Sequence, residues 1–170
     1  INKDMLTSAS GFFYEVGPRL FLVTSRHVLL DADSDHHPNR IEIELHTDVD
    51  NLAASIGFSM PLYQHGKSVW RDGRDSEGPV DVAVLEIDRA ALPKGAVVQA
   101  FTPAHLPAAS DVIEIGSSLL VVGFPLGFHD TLHHMPVVRH AVLASAFGLR
   151  FDGRGYFLTD ARTHRGTSGA

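Results

Sequence analysis

Short segments of apolar or alternating residues, separated by turns rich in glycine and proline, recur along this chain of 170 residues. Residues 19–24 and 118–123 are mainly apolar, and residues 40–46 alternate apolar with polar side chains. A period of two is typical of a β-strand with one buried face. Fifteen glycines and nine prolines supply the turns between such strands. The pattern favours a β-barrel or β-sandwich over a fold of alternating strands and helices.

The sequence therefore predicts a mainly β fold with short connections. Its predicted strands cover residues 10–16, 19–24, 40–46, 82–87, 96–101, 118–123, 137–146 and 156–159. Residues 31–39 and 71–79 are expected to form turns, and only residues 50–56 and 88–92 are candidates for a turn or two of helix. The most apolar stretch, residues 119–128, is far shorter than the roughly 20 residues of a spanning helix, so no membrane span is predicted.

Charge and cysteine content exclude several functional classes. Fourteen Lys and Arg against twenty Asp and Glu give a net charge of −6, which argues against a nucleic-acid partner and against a basic membrane-binding surface. The chain has no cysteine, so disulfide scaffolds, thiolate metal sites and a cysteine nucleophile are excluded. A protein without cysteine folds equally well in oxidising and reducing compartments, so the sequence leaves its location open.

Three segments carry side chains that can act together in acyl transfer. They are TSRHV at residues 24–28, DVAVL at residues 81–85 and GTSGA at residues 166–170. In this chemistry Ser168 would attack a carbonyl, His27 would accept the serine proton, and Asp81 would orient and stabilise the imidazole ring. Glycines beside the serine would let consecutive backbone N–H groups turn toward a developing oxyanion.

Each segment taken alone has a simpler explanation, since a single histidine after a strand, an aspartate in a turn and a glycine-rich loop are all common. Their joint occurrence in one order favours the catalytic interpretation. An α/β-hydrolase requires Gly-x-Ser-x-Gly and the chain order serine, acid, histidine. Here Ala170 stands two residues after Ser168 and the order is histidine, aspartate, serine, so that alternative fails on both points.

Two histidine-rich segments have the chemistry of metal ligands. They contain His129, Asp130, His133 and His134 in one, and Asp33, Asp35, His36 and His37 in the other. Gly127 and Pro136 flank the first segment, which favours a loop over a helix with aligned ligands. Both segments are therefore interpreted as solvated loops, and we predict neither a metal nor a cofactor.

The three acyl-transfer segments, in this order, resemble the motifs of the chymotrypsin-like (trypsin-like) serine proteases. The closer resemblance is to the bacterial trypsin-like and high-temperature-requirement-type peptidases. The first two segments are similar to that family's Thr-x-x-His element and to its Asp-[Ile/Leu/Val]-Ala-[Leu/Val]-Leu element, and the third to its Gly-x-Ser-Gly element. Further similarities are SGF at residues 10–12, GFPLG at residues 123–127 and TDA at residues 159–161.

The resemblance implies one trypsin-like peptidase unit over residues 1–170, built from two six-stranded antiparallel β-barrels. The first barrel would cover about residues 8–102 and the second about residues 110–170. In that family at least two further strands follow the nucleophile. We therefore expect the second barrel to be incomplete here and to be completed by a missing C-terminal segment or by a partner chain.

The resemblance also implies a serine endopeptidase that hydrolyses polypeptides through a Ser-His-Asp triad and an acyl-enzyme intermediate. His27, Asp81 and Ser168 would be catalytic, and the backbone N–H groups of Gly166 and Ser168 would form the oxyanion hole. The alternative is a catalytically silent module of the same fold that binds peptides or partner proteins.

Specificity is predicted less sharply by the resemblance. The floor of the family's primary specificity pocket corresponds to Arg162, six residues before Ser168. An inward Arg162 would favour an acidic side chain before the scissile bond. In the bacterial subgroup this loop often departs from the animal geometry, so we expect Arg162 to point to solvent. Arg165, beside the oxyanion hole, is the other candidate for contact with substrate.

Overall fold

The computed structural model describes residues 7–126 and 128–170. Short strands dominate the structure, and the α-helix is a single turn, α1 (Arg26–Leu29). Two further 3-10 turns cover Arg89–Ala91 and Pro103–His105. The strands are β1 (Phe12–Val16), β2 (Arg19–Thr24), β3 (Arg40–His46), β4 (Ser55–Pro61), β5 (Tyr63–Gln64), β6 (Lys67–Ser68), β7 (Trp70–Asp75), β8 (Gly78–Ile87), β9 (Ala100–Phe101), β10 (Ser118–Gly123) and β11 (Val137–Val142).

The largest sheet has five strands in the order β7-β8-β2-β1-β9. Strand β2 lies at its centre and pairs antiparallel with both β1 and β8, while β9 joins β1 in parallel. At the end of β2, Thr24 pairs with Ala83 of β8. This register brings the residues that follow β2 beside the residues that precede Ala83, which positions the first two parts of the candidate site.

A hydrophobic core lies between this sheet and the β3–β4 hairpin. In β2 every second side chain is buried, namely Leu20, Leu22 and Thr24, as the period of two requires. Each fully buried leucine or isoleucine contributes about 1.5–3 kcal/mol relative to exposure. The buried cluster consists of Leu20, Leu22, Leu29, Met60, Leu62, Trp70, Ala83, Leu85 and Ile87.

The second half of the chain is built around the antiparallel pair β10–β11. Ala141 and Leu143 are buried on one side of this pair. On the other side Leu120 is 65% exposed, Val122 45% and Val138 56%. Val122 and Val138 are directly paired across the strands. We call Leu120, Val122 and Val138 the exposed hairpin face.

Several predicted elements are confirmed at their predicted bounds. Strands β2, β3 and β10 cover the predicted residues 19–24, 40–46 and 118–123. The helical turn predicted within residues 88–92 is present as a 3-10 turn. For the three strands the local pattern of apolar residues was sufficient to predict the bounds, because one face of each strand packs inward.

Other predictions about secondary structure were wrong. Residues 55–56 begin β4 instead of forming a helical turn, since they pair with β3, and the expected turn region 71–79 contains most of β7. Backbone pairing with β8 holds β7 although its exposed side chains are mostly charged. The predicted strand at 96–101 is reduced to β9, and the one at 156–159 contributes a single bridge between Leu143 and Thr159.

The mainly β prediction is confirmed, and the structure is consistent with a trypsin-like β fold. The hydrogen-bonded ladders of the described residues form the five-stranded sheet and three two-stranded sheets, without closing into a ring by themselves. The division into barrels at about residues 8–102 and 110–170 stays a prediction. In the part of the chain that the structure describes, no helix is long and apolar enough to cross a membrane.

Candidate active site

His27 lies in α1, directly after the central strand β2. Its imidazole Nδ1 is 2.7 Å from Asp81 Oδ2, and its backbone N–H donates to Asp81 Oδ1 at 3.0 Å. The carboxylate thus holds the ring and the backbone of the same residue. Two contacts from one partner restrict both the position and the rotation of the imidazole ring.

Asp81 lies inside β8, which begins at Gly78. The sequence analysis expected turns up to residue 79, just before Asp81, and this expectation was wrong because Gly78 and Pro79 pair with β7. The pairing shifts register between Asp72 and Arg74, at an irregularity that contains Gly73. A Cβ at Gly73 would lie 2.8 Å from Val80 Cγ2, so the strands approach too closely there for a side chain.

Ser168 lies in a turn near the other end of the chain, and its Oγ is 2.8 Å from His27 Nε2. The structure therefore brings the three predicted residues together, although 54 residues separate His27 from Asp81 and 141 separate it from Ser168. The side chains of His27 and Asp81 are 45% and 56% exposed, so the group opens to solvent.

Gly166 is buried and has a φ of +91°, a conformation that residues with a side chain rarely adopt. A Cβ at this position would lie 2.6 Å from Phe124 O and 2.7 Å from Leu126 N. The Leu126 N–H donates to Arg165 O at 2.7 Å, which fixes the peptide unit that carries the Gly166 N–H. Within residues 7–126 and 128–170, neither the Gly166 nor the Ser168 N–H donates a hydrogen bond to the protein.

A cleft of about 380 Å³ opens at this site. Its lining includes His27, Gly166, Ser168 and Arg165. Arg162 does not belong to this lining and its side chain is exposed, while its carbonyl oxygen accepts a hydrogen bond from Arg139 Nη1 at 2.9 Å. Of the two arginines predicted to contact substrate, only Arg165 faces the cleft.

One wall of the cleft is acidic, because Asp31 and Asp35 also line it. The Ser34 hydroxyl donates to Asp31 Oδ2 at 2.5 Å. This hydrogen bond is the main cause that lowers the pKa of Asp31, and positive charge on His27 or His36 lowers it further. Asp31 is therefore ionised close to His27. The sequence analysis did not single out Asp31, although it follows His27 by four residues in a segment dense in aspartate and histidine.

The two histidine-rich segments form local pairs in the structure. His133 Nδ1 is 2.8 Å from Asp130 Oδ2, and His36 Nε2 is 3.0 Å from Val28 O. Hydrogen bonds from the His133 backbone, the His133 ring and the Leu132 backbone lower the pKa of Asp130 to about 2. Among the residues that the structure describes, no three histidine, aspartate or glutamate side chains are grouped to hold a metal ion.

Ser10 is a further residue of the site whose contacts the sequence analysis missed. It is 5% exposed and lies directly against the turn that contains Ser168, since its backbone N–H donates to Ser168 O at 2.8 Å. The one sequence feature that could have nominated Ser10 was its position in the segment SGF at residues 10–12. The related turn GFPLG contributes Phe124 and Leu126 to the surroundings of Gly166, while Gly127 lies outside the described residues.

A mainly β fold that brings a serine, a histidine and an aspartate into hydrogen-bond contact is the arrangement of the trypsin-like class of proteins. A family model described as a trypsin-like peptidase domain matches residues 9–170, and the chain therefore belongs to this family. The predicted resemblance to the chymotrypsin-like serine protease superfamily is confirmed. Family membership supports a protease-type function acting on polypeptides. No curated protein and no solved structure matched the chain.

Proposed function

We propose that this chain is a serine endopeptidase unit in which Ser168 is the nucleophile, His27 the general base and Asp81 the orienting carboxylate. The observation that carries the proposal is the pair of contacts on one imidazole ring. Nε2 lies 2.8 Å from Ser168 Oγ, and Nδ1 lies 2.7 Å from Asp81 Oδ2. A proton held on Nδ1 by Asp81 leaves the Nε2 lone pair free to accept the serine proton.

The reaction then proceeds in two acyl-transfer steps. Ser168 Oγ attacks the peptide carbonyl carbon while its proton passes to His27 Nε2, and the negative charge of Asp81 stabilises the imidazolium. The tetrahedral intermediate collapses when the imidazolium returns that proton to the leaving amine, so the C–N bond breaks and an acyl-serine remains. Water attacks this ester by the same route, with His27 again as base and then acid, and releases the acid product.

The backbone N–H groups of Gly166 and Ser168 are proposed to bind the oxyanion of both intermediates. Both groups are free of protein acceptors within the described residues, and both belong to the turn that carries the nucleophile, in which Gly166 is buried. Donors held in place before the reaction stabilise the developing charge without a reorganisation cost. Loss of one such donor typically reduces turnover by about 10²–10³-fold.

Arg165 is proposed to contact the bound polypeptide. It lines the cleft immediately before Gly166, where its guanidinium would favour an acidic side chain or a carboxylate of the substrate. For Arg162 we propose the solvent-facing alternative, because its side chain is exposed and lies outside the cleft lining. A closer relationship to the bacterial trypsin-like and high-temperature-requirement-type peptidases rests on the motifs at residues 10–12, 123–127 and 159–161.

A further stretch of polypeptide is proposed to cover the exposed hairpin face. Leu120, Val122 and Val138 present adjacent apolar side chains to solvent, and such a patch on a sheet normally marks a contact surface. Either another segment of this protein or a partner chain would pack there and complete the second barrel.

Covalent labelling and peptide hydrolysis test the proposed function on the natural full-length protein. A fluorophosphonate probe should label the wild type at Ser168, and Ser168→Ala should reduce hydrolysis by at least about 10³-fold. Adding His27→Ala to Ser168→Ala should cost little more, because the triad acts as a unit. The matched control is Ser118→Ala, which removes an exposed serine of β10 and should leave both signals unchanged.

The competing function is a catalytically silent module that binds peptides. A cooperatively folded wild type that neither reacts with the probe nor cleaves any member of a peptide library would favour this module. Retention of more than about 10% of wild-type turnover by Ser168→Ala would instead show that another group is the nucleophile.

A further inference from the structure

Ser10 connects three segments of the molecule through hydrogen bonds. It lies two residues before the start of β1, and it is 5% exposed. Its Oγ donates to Gly166 O at 2.7 Å and accepts from the Phe124 N–H at 2.8 Å. Its backbone N–H donates to Ser168 O at 2.8 Å. One small buried residue therefore contacts the nucleophile turn at two carbonyl groups.

These two carbonyl groups bracket the nucleophile turn. The Gly166 carbonyl belongs to the peptide unit that lies between the two proposed oxyanion donors, the N–H groups of Gly166 and Ser168. The Ser168 carbonyl belongs to the peptide unit that directly follows the one carrying the Ser168 N–H. Because Gly166 has no Cβ, rotation about its backbone bonds is less restricted than in other residues. The Leu126 contact to Arg165 O holds the peptide unit before Gly166, and a contact on the peptide unit after Gly166 is needed to hold both N–H groups in one orientation.

The surroundings of Ser10 are shaped for a hydroxyl group. A Cβ at Gly123 would lie 2.8 Å from Ser10 Oγ, so the hydroxyl fills the space that a side chain at position 123 would need. The Ser10 carbonyl accepts a hydrogen bond from Thr24 Oγ1 at 2.7 Å. Thr24 ends β2, the strand that leads into His27. Ser10 thus links the strand of the general base to the turn of the nucleophile.

We propose that Ser10 is a positioning residue: its hydroxyl holds the peptide unit between the Gly166 and Ser168 N–H groups and, together with the Leu126 contact to Arg165 O, sets their orientation toward the oxyanion. The inference rests on the proposed function, since it assigns a role within the same catalytic cycle. Within the described residues no hydrogen bond joins Ser10 to His27 or Asp81, so the hydroxyl acts on the oxyanion donors and not on the proton transfer. Its loss should therefore reduce kcat, because the oxyanion forms only after substrate is bound.

Ser10→Ala removes the hydroxyl and keeps the backbone contacts. A misplacement of about 1 Å at a reacting group can cost about 10²-fold, so we expect kcat to fall by about 10–100-fold while KM stays within about twofold. A peptide aldehyde, whose adduct mimics the tetrahedral intermediate, should bind more weakly by the same factor as the loss in kcat/KM. A product peptide should bind equally well, and the midpoint of the pH–rate profile should not move.

Two further variants separate positioning from general destabilisation. Ile87→Val shortens a buried side chain at the far end of β8 and should lower the melting temperature without changing kcat. Ser10→Cys keeps a weak donor at the same place, so its kcat should lie between those of the wild type and Ser10→Ala. If Ser10→Ala does not fold, Ser10→Cys becomes the measured variant, with an expected fall in kcat of about threefold or more.

The outcomes distinguish failure of this inference from failure of the proposed function. An active wild type whose Ser10 variants keep wild-type kcat and aldehyde affinity would overturn the role of Ser10 alone. The role of Ser10 would also be overturned if Ile87→Val, at the same melting temperature as Ser10→Ala, showed the same loss in kcat. An inactive, unlabelled wild type would overturn the proposed function and this inference with it.

Discussion

Replacing Gly166 with alanine tests how tightly the nucleophile turn is packed. The new Cβ would lie 2.6 Å from Phe124 O and 2.7 Å from Leu126 N, at a φ of +91°. The strained backbone costs about 1–2 kcal/mol and the overlap with main-chain atoms about 1–3 kcal/mol, so stability should fall by about 2–5 kcal/mol. In a chain of this size each kcal/mol lowers the melting temperature by about 2–4 °C.

The matched control is Gly116→Ala. Gly116 has a φ of +93°, but a Cβ there would meet no atom within 4 Å. Gly116→Ala therefore has the strained backbone but no overlap with neighbouring atoms, so we expect a loss of about 1–2 kcal/mol in stability and unchanged peptide hydrolysis. To reach an ordinary contact distance the Gly166 backbone must move by several tenths of an ångström, which we expect to reduce kcat/KM by about 10–100-fold.

Thermal unfolding and peptide hydrolysis of both variants provide the measurement. The reasoning requires that Gly166→Ala be less stable than Gly116→Ala and that only Gly166→Ala lose activity. Equal melting temperatures together with equal activities would refute the close packing of the turn. A loss of stability in Gly166→Ala without a loss of activity would show that its N–H is not an oxyanion donor.

Two further predictions concern the carboxylates. Asp81→Asn should reduce kcat by about 10⁴-fold with little change in stability. The reason is that an amide can donate to Nδ1 and so favour the tautomer with a proton on Nε2. A fall in kcat of less than about tenfold would contradict this role of Asp81. The pKa of Asp130 is lowered from 3.8 to about 2 by hydrogen bonds from His133 and Leu132. Its ionised form thus stabilises the fold fully above about pH 4 and loses this effect as the pH falls toward 2. The urea midpoints of wild type and Asp130→Ala should converge over that interval, whereas a constant difference would exclude the effect.

Strands could be predicted from the sequence best where a local pattern of side chains decides the structure. Strand β3 was predicted at its full bounds because alternating side chains distinguish a buried face from an exposed one. Strand β4 also alternates, with Ile56, Phe58 and Met60 separated by glycine and serine, and the sequence analysis missed this pattern. The structure reveals β4 by its antiparallel pairing with β3. Strand β7 is rich in charged residues and forms because β8 offers its backbone groups.

The candidate site was predictable as a set of residue types but not as a geometry. His27, Asp81 and Ser168 each stand in a short motif, so their order along the chain was enough to nominate them together. The sequence could not show which of Arg162 and Arg165 faces the cleft, because the direction of an exposed side chain depends on the packing of its loop. The structure places only Arg165 on the cleft.

What the sequence by itself determined was the mainly β character and the choice of the three side chains proposed to react, because strand periodicity and short motifs are local properties. The tertiary structure alone decided that Nδ1 and Nε2 of one imidazole ring face Asp81 and Ser168, which are 54 and 141 residues away. It alone revealed that the Ser10 hydroxyl holds the Gly166 carbonyl across 156 positions of sequence. Contacts of that separation depend on how sheets and turns pack together, and no window of neighbouring residues carries that information.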